Sequence, residues 1–89
     1  MPRFKIEFKR SAEREFGRLP RTMMERFAMA FDDLRDDPMK RRPGVDVKRL
    51  HGTKNTWRLR IGDYRGIYEL EGDKLIFTRF GRRGNVYSV

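Results

Sequence analysis

The sequence predicts an α+β domain in which an N-terminal strand, a two-helix hairpin and an antiparallel strand meander form one sheet, with the helices packed on one face. Three observations lead to this prediction. Residues 3–9 alternate apolar and charged side chains, apolar residues recur at helical spacing up to residue 36, and two Gly-Asp pairs separate later strand-like runs. With 89 residues the chain has room for one hydrophobic core, so residues 1–89 are expected to form a single domain.

The N-terminal half contains the first strand and both helices. In residues 3–9, RFKIEFK, the apolar side chains fall on one side and the charged ones on the other, which is typical of a half-buried strand. Ser11 is expected to cap a short helix, and Pro20 to end that helix or to begin the next one. Apolar residues at helical spacing across 21–36 indicate a long amphipathic helix.

The C-terminal half consists of consecutive strand-like runs: one that begins with Val45 and Val47, and then 56–61, 64–71 and 74–80. Gly62-Asp63 and Gly72-Asp73 separate the last three runs, and both pairs are typical of two-residue hairpin turns. We therefore expect these strands and the N-terminal strand to form one antiparallel sheet.

An acidic cluster lies at the end of the long helix: Asp32, Asp33, Asp36 and Asp37. Asp32 and Asp36 share a helix face, so one interpretation is a carboxylate metal site. The favoured interpretation is a solvated acidic end that keeps polyanions away from the back of the protein, because no other ligand residue is in view. We expect no metal and no cofactor.

Cysteine and histidine usage and the N-terminus exclude several classes of protein. There is no Cys and one His, so a disulfide framework and a zinc finger are excluded, and a reducing cytoplasm is the expected location. The first residues contain no apolar stretch resembling a signal peptide, and the longest apolar run, 27–31, is too short to span a membrane.

Positive charge is concentrated in the middle of the chain and in its tail. The net charge is +9; residues 38–65 have nine basic and two acidic side chains, a net charge of +7, and 79–89 add +3. This distribution favours a polyanionic partner, most often nucleic acid, over a basic domain without such a partner. The candidate RNA-binding residues are therefore Arg41, Arg42, Lys48, Arg49, Lys54 and Arg82.

The Gly62-Asp63 turn predicts a cross-strand arginine cluster. A two-residue turn there places Arg60 directly opposite Arg65, with Arg58 on the same solvent-facing surface, so removal of Arg65 is expected to cost little stability. Like charges in directly opposite positions destabilise a sheet. A phosphate bound between the guanidinium groups resolves this conflict, because arginine matches phosphate bidentately; the alternative is that both side chains splay into water.

Several short motifs together resemble the toxins of the RelE/ParE superfamily, which belong to prokaryotic toxin–antitoxin pairs. In chain order these motifs are Lys48-Arg49-Leu50-His51-Gly52, Trp57-Arg58-Leu59-Arg60, Gly62-Asp63-Tyr64-Arg65-Gly66-Ile67-Tyr68, Gly81-Arg82-Arg83 and Val86-Tyr87. The resemblance covers essentially the whole chain. It implies a cytoplasmic toxin that cuts messenger RNA in the ribosomal A site without metal, and a cognate antitoxin that blocks it.

Carried over by resemblance, the catalytic set falls on Arg58, Arg60, Arg65, Arg83 and Tyr87, with Arg82 as the alternative to Arg83. In RelE itself the two strand positions resemble a lysine-based site, whereas this chain has arginines there. Arginine is effectively never deprotonated, so Tyr87 is the better candidate for the general base. His51 could act near neutral pH, but a loop histidine without a role is favoured.

Two other functions remain open for this sequence. A ParE-like toxin poisons DNA gyrase by binding, and a RelE-like protein without lysines in the site could bind RNA and not cleave it. The resemblance favours cleavage, because ParE-like members generally lack the basic and tyrosine set. An exposed apolar stripe on helix 21–36 is the expected docking site of the antitoxin, whose contacting segment should be acidic.

Overall fold

The five-stranded sheet of this protein is mixed, with strand order β1-β5-β4-β3-β2. A computed structural model describes residues 3–82. Its elements are β1 (Lys5–Phe8), α1 (Arg10–Gly17), α2 (Arg21–Asp36), β2 (Asp46–Arg49), β3 (Thr56–Ile61), β4 (Tyr64–Glu71) and β5 (Lys74–Arg82). The predicted fold class and the predicted runs are therefore confirmed.

The expectation of a wholly antiparallel sheet is wrong for the first strand. Strands β2 to β5 form the antiparallel meander, but β1 pairs parallel to β5, with Phe8 beside Phe77. Alternation of apolar and charged residues places side chains on the two faces of a strand and carries no information about the direction of its neighbour. The sequence pattern of residues 3–9 therefore identified the strand but not the direction in which it pairs with its neighbour.

A β-bulge in β5 places two aromatic residues, Phe77 and Phe80, on the same side of the sheet although they are an odd number of positions apart. The register shifts between Ile67 and Tyr68, so Phe77 pairs with Tyr68 and Phe80 pairs with Gly66. An extra residue in one strand turns the following side chains to the other face. The Phe77 and Phe80 rings consequently stack with centroids 4.7 Å apart, under the two helices.

The short helix α1 is attached to β5 by polar contacts that differ from the predicted cap. The helix begins at Arg10 with Lys9 as its N-cap, and no side chain caps it. Ser11 lies inside the helix and donates its hydroxyl to the Thr78 carbonyl at 3.3 Å. The Glu15 carboxylate accepts from the Phe80 backbone N–H at 2.9 Å. Ser11 therefore joins two elements instead of starting one.

Helix α2 has the predicted bounds and the predicted amphipathic character. Its core-facing residues are Phe27, Ala30, Phe31 and Leu34. On its outer side Met29 is 74% exposed. Asp32 pairs with Arg35 at 2.8 Å and Asp36 pairs with Arg3 at 3.0 Å, so the acidic end of the helix is solvated and ion-paired. Neither helix of residues 3–82 is long and apolar enough to cross a membrane.

Candidate functional site

The arginine-bearing hairpin has the register that the sequence predicted. β3 and β4 are joined by Gly62-Asp63, with Gly62 in the left-handed region at φ 59°, as this kind of turn requires. Arg60 pairs with Arg65, and Arg58 pairs with Ile67. Leu59, the alternate residue, is fully buried on the helix side. Arg58, Arg60 and Arg65 therefore share the sheet face opposite the helices, which we call the arginine face.

A carboxylate of the same chain lies among these arginines. Asp46 pairs with Arg60 across β2 and β3. Its Oδ1 lies 3.0 Å from Arg58 Nη2 and 3.6 Å from Arg41 Nε, and its Oδ2 lies 3.9 Å from Arg60 Nε. One acidic side chain thus partly neutralises three guanidinium groups. Sequence reasoning overlooked Asp46, although its position between Val45 and Val47 places it on the arginine face.

Arg65 is buried, which corrects the prediction of an arginine surface that faces solvent at all three positions. The residue is 6% exposed, and its Nη1 donates to the carbonyls of Gly62 at 3.3 Å and Tyr64 at 3.4 Å. The Arg58 side chain is 16% exposed, whereas that of Arg60 is 51% exposed. Arg60 is therefore the accessible guanidinium of this face.

Two donors of the arginine face lack an acceptor within residues 3–82. Nε of Arg58 and Nε of Arg65 are both buried without a hydrogen-bond partner there. A guanidinium keeps its charge at every relevant pH, and a buried charged donor without an acceptor costs free energy. The arginine face consequently has more positive charge than acceptors of its own, and its exposed guanidinium, Arg60, is the one that an anion can reach.

The candidate RNA-binding residues are distributed over both faces of the sheet and the loops beside it. Lys48 pairs with Arg58 and extends the arginine face, and Arg41 reaches Asp46. Arg49 pairs with Trp57 and Arg82 pairs with Tyr64, so both belong to the helix side of the sheet. Arg82 lies over the Tyr64 ring at 5.9 Å, and Lys54 is exposed in the loop between β2 and β3.

Arg42, a predicted RNA-binding residue, makes two backbone contacts within its own chain. Its Nη1 donates to the Asp33 carbonyl at 3.1 Å and its Nη2 to the Asp37 carbonyl at 3.2 Å. These are carbonyls at the C-terminal end of α2, where a cation is favoured by the helix dipole. Arg42 therefore fixes the loop that follows the helix.

The tyrosines of β4 belong to the hydrophobic core and not to the arginine face. Tyr68 is fully buried and donates its hydroxyl to the Pro38 carbonyl. Burial raises the pKa of the Tyr68 phenol, the charge of Asp37 raises it further, and Arg42 lowers it slightly. Tyr64 packs partly buried against the same core. Arg83 and Tyr87 of the predicted catalytic set lie outside the described residues.

The described part of the chain offers no evident metal site. Within residues 3–82, no group of three or more His, Cys, Asp or Glu side chains is arranged to hold a metal ion. His51 is exposed in a turn between β2 and β3. The chemistry of the described site is therefore that of guanidinium groups and one carboxylate.

Comparisons with known proteins agree with this fold. Residues 6–87 match the family described as the ParE toxin of type II toxin–antitoxin systems, parDE. The chain is 25% identical over 83 residues to toxin RelE3 of Methanocaldococcus jannaschii, covering 93% of this chain and 94% of that protein. The archaeal RelE–RelB complex of Pyrococcus horikoshii OT3 is similar with a TM-score of 0.79 and 27% identity, covering 97% of this chain and 100% of that one.

A second archaeal structure, the RelB–RelE antitoxin–toxin complex of Methanococcus jannaschii, is similar in fold, with a TM-score of 0.77, 23% identity and coverage of 92% of this chain and 95% of that one. The fold and these likenesses define a RelE-like toxin of the RelE/ParE superfamily. Because the match extends over nearly its whole length, the chain belongs to the ParE toxin family of type II toxin–antitoxin systems.

Proposed function

We propose that this toxin inhibits translation by cutting messenger RNA in the ribosomal A site, in the cytoplasm and without metal, and that a cognate protein antitoxin neutralises it. The observation that carries the proposal is the convergence of Arg58, Arg60 and Arg65 on one sheet face. The similar Pyrococcus horikoshii structure is a complex of RelE with RelB, which supports an antitoxin partner for this chain as well.

The proposed reaction is an internal transesterification of RNA. The ribose 2′-oxygen attacks the adjacent phosphorus and loses its proton to a general base, and the bond from phosphorus to the 5′-oxygen breaks. The products are a 2′,3′-cyclic phosphate and a 5′-hydroxyl end, whose oxygen takes its proton from water or from the protonated base. Positioned guanidinium donors stabilise the negative charge that develops on the phosphorane.

The three arginines take different parts in this reaction. Arg60, the accessible one, contacts the non-bridging oxygens of the scissile phosphate. Arg58, held by Asp46 through Nη2 and 16% exposed, adds positive charge beside the phosphate. Arg65, buried and bonded to two carbonyls of the turn, supplies fixed positive charge behind the phosphate. Arg83 is the fourth donor in the proposal.

Tyr87 is the proposed general base. Arginine does not accept a proton in this role. The tyrosines within residues 3–82, Tyr64 and Tyr68, lie on the helix side of the sheet, and burial raises the pKa of Tyr68. Neither can therefore remove a proton at the arginine face. A tyrosine from the tail is the remaining phenol in the sequence.

The test is a cell-free translation reaction programmed with a defined messenger RNA and analysed by primer extension. We expect cuts within codons at the A site with the wild-type toxin, and loss of cleavage by a factor of about 10²–10³ for Arg60→Gln, since one transition-state donor is removed. Arg14→Gln removes the same charge from the exposed face of α1 and serves as the control.

The family description also makes gyrase inhibition a second candidate, because the matching family is named for ParE. A supercoiling assay with purified DNA gyrase in parallel distinguishes the two. Inhibited supercoiling together with intact messenger RNA would replace the proposal by the ParE-type function. Intact messenger RNA without gyrase inhibition, but with RNA binding, would indicate a binding protein that does not cleave.

A further inference from the structure

A basic cleft lies between α2 and the end of β3, next to the arginine face. The loop that follows α2 forms one wall, and the cleft has a volume of about 550 Å³. The charged residues that line it are Arg26, Arg41, Arg42, Asp46 and Arg60. Concave surfaces of one dominant charge concentrate the electrostatic potential and attract ions of the opposite sign.

Arg26 is the contribution of α2 to this cleft. Its Nη1 lies 3.8 Å from the position that a Cβ atom on Gly62 would occupy, so the guanidinium rests beside the β3–β4 turn. Within residues 3–82, Arg26 has no hydrogen bond or ion pair. An uncompensated guanidinium therefore lines the same cleft as Arg41.

The cleft already holds one anionic group of its own chain. The Asp46 carboxylate is on its wall and lies within 4 Å of Arg41, Arg58 and Arg60 nitrogens. These guanidinium groups are thus arranged to converge on an anion. Arg42 is different, because its donors are used by the carbonyls of α2.

We propose that this cleft is a second phosphate-binding site, which holds a phosphate of the RNA strand next to the one on the arginine face. Arg26, Arg41 and Arg60 are its ligands, and Asp46 is an internal competitor that the phosphate displaces. Arg60 lines the cleft and also lies on the arginine face, so a strand that contacts Arg60 reaches the cleft directly. The forked donors of arginine match phosphate oxygens.

This inference rests on the proposed function in one respect, that RNA is the ligand. The test measures binding without ribosomes or cleavage, by fluorescence anisotropy of a labelled single-stranded RNA with the purified full-length toxin at several salt concentrations. We expect Arg26→Gln to weaken binding about 3–10-fold and to lower the slope of log K against log salt by about 0.7, the value for one phosphate contact on a single strand.

The matched control is Arg21→Gln, which removes the same charge from the same helix. Arg21 is exposed, does not line the cleft, and lies about 140° around the helix from Arg26. It should change the affinity less than 2-fold, as expected of a charge with no phosphate contact. Equal effects of the two variants would overturn the proposal, because they would show a general charge effect.

The Asp46→Asn variant tests whether Asp46 competes with phosphate, and its expected effect on RNA affinity is opposite to that of Arg26→Gln. We expect it to tighten RNA binding about 3–10-fold relative to Asp63→Asn, which removes a negative charge from the exposed turn nearby. Binding no tighter than that of Asp63→Asn would overturn the role of Asp46. Should Asp46→Asn unfold the protein, the Arg26 and Arg21 pair still decides whether the site exists.

Failure of this inference and failure of the proposed function are distinguishable. An Arg26→Gln effect on binding in a toxin that does not cut messenger RNA would keep the cleft and remove the endonuclease. If the wild-type toxin cuts messenger RNA and Arg26→Gln leaves the RNA affinity unchanged, the endonuclease function stands and the cleft is not a phosphate site. If Arg26→Gln weakened only the complex with the antitoxin, the cleft would be a site for an acidic protein segment and the proposal would be wrong.

Discussion

Arg60 and Arg65 lie directly opposite each other on β3 and β4, yet one guanidinium is half exposed and the other is buried. Two like charges in this position are unfavourable when both are free in solvent or both are unpaired. Here Arg65 turns back onto the carbonyls of Gly62 and Tyr64, and Arg60 is drawn toward Asp46 on the other side. The repulsion is thereby reduced by separate partners within the chain itself.

The first prediction is that Arg65 and Arg60 differ in their contribution to stability. Arg65→Ala should lower the free energy of unfolding by about 1–2 kcal/mol, because a buried residue and its hydrogen bonds to the turn are lost. Arg60→Ala should change it by less than about 0.5 kcal/mol, as is usual for an exposed side chain. Urea unfolding followed by circular dichroism measures both.

This expectation reverses the one that the sequence supports, in which Arg65 is exposed and its removal leaves stability unchanged. Equal unfolding free energies for the two alanine variants would show that the burial of Arg65 contributes nothing to stability. Both variants are expected to lose messenger RNA cleavage, so the stability measurement separates the structural part of the Arg65 role from the chemical part.

The second prediction concerns Gly66, which lies beneath two aromatic rings of the core. A Cβ at this position would lie 2.8 Å from Phe80 Cε1 and 3.0 Å from Phe77 Cε1. Gly66→Ala should therefore destabilise the protein by about 1–3 kcal/mol through overpacking. The control is Gly17→Ala at the end of α1, where an added Cβ would have no neighbouring atom within 4 Å apart from its adjacent residues and the helix backbone. This variant should be neutral or stabilising by up to about 1 kcal/mol.

Thermal unfolding of both glycine variants gives the comparison directly. A Gly66→Ala protein that melts with the wild type would mean that the Phe77 and Phe80 rings shift without cost, and that the bulge in β5 does not fix their positions. The prediction thus tests the packing under the arginine face and not the face itself.

The third prediction is a pH dependence caused by Tyr68. The pKa of its phenol is raised above the ordinary value of 10.0, mainly by burial. Above that pH the unfolded chain releases the Tyr68 proton and the folded chain keeps it, so the unfolded state binds fewer protons and stability falls as the pH rises. Below that pH the group is protonated in both states and contributes no pH dependence.

Tyr68→Phe provides the measurement for this effect. The variant should lose about 1–2 kcal/mol at neutral pH, because the Pro38 carbonyl loses its buried donor. Its unfolding free energy should then fall less steeply than that of the wild type between about pH 10 and 11, where the unfolded phenol ionises. Parallel curves for the two proteins over this interval would contradict the assignment.

The contrast between Asp46 and Arg65 shows how far sequence reasoning reaches in this protein. The Gly62-Asp63 turn fixed the register of the hairpin, and alternation fixed which residues share a face, so the cluster of Arg58, Arg60 and Arg65 was predictable. Asp46 lies on a neighbouring strand, and its pairing with Arg60 depends on a loop whose length leaves the register open.

The burial of Arg65 on the open face of the sheet and the direction of β1 were not predictable from local sequence patterns. A long cationic side chain can turn toward solvent or fold back onto backbone carbonyls, and the choice depends on three-dimensional neighbours. The bulge in β5 also shifts the parity of Phe80 relative to Phe77. Simple alternation through 74–80 assigns these two residues to opposite faces, whereas both lie in the core.

The last prediction concerns the general base. Tyr87→Phe removes a hydroxyl and keeps the ring, so RNA and ribosome binding should stay within about 2-fold of the wild type, as expected when no phosphate contact is lost. Single-turnover cleavage of programmed ribosomes should fall by a factor of about 10²–10⁴, the usual contribution of general acid–base catalysis. Tyr64→Phe is the control, because Tyr64 lies on the helix side of the sheet and should keep the wild-type cleavage rate. Cleavage by Tyr87→Phe at the wild-type rate would exclude the tyrosine as the base, and an equal loss of ribosome binding and cleavage would show that the hydroxyl positions the toxin and does not transfer a proton.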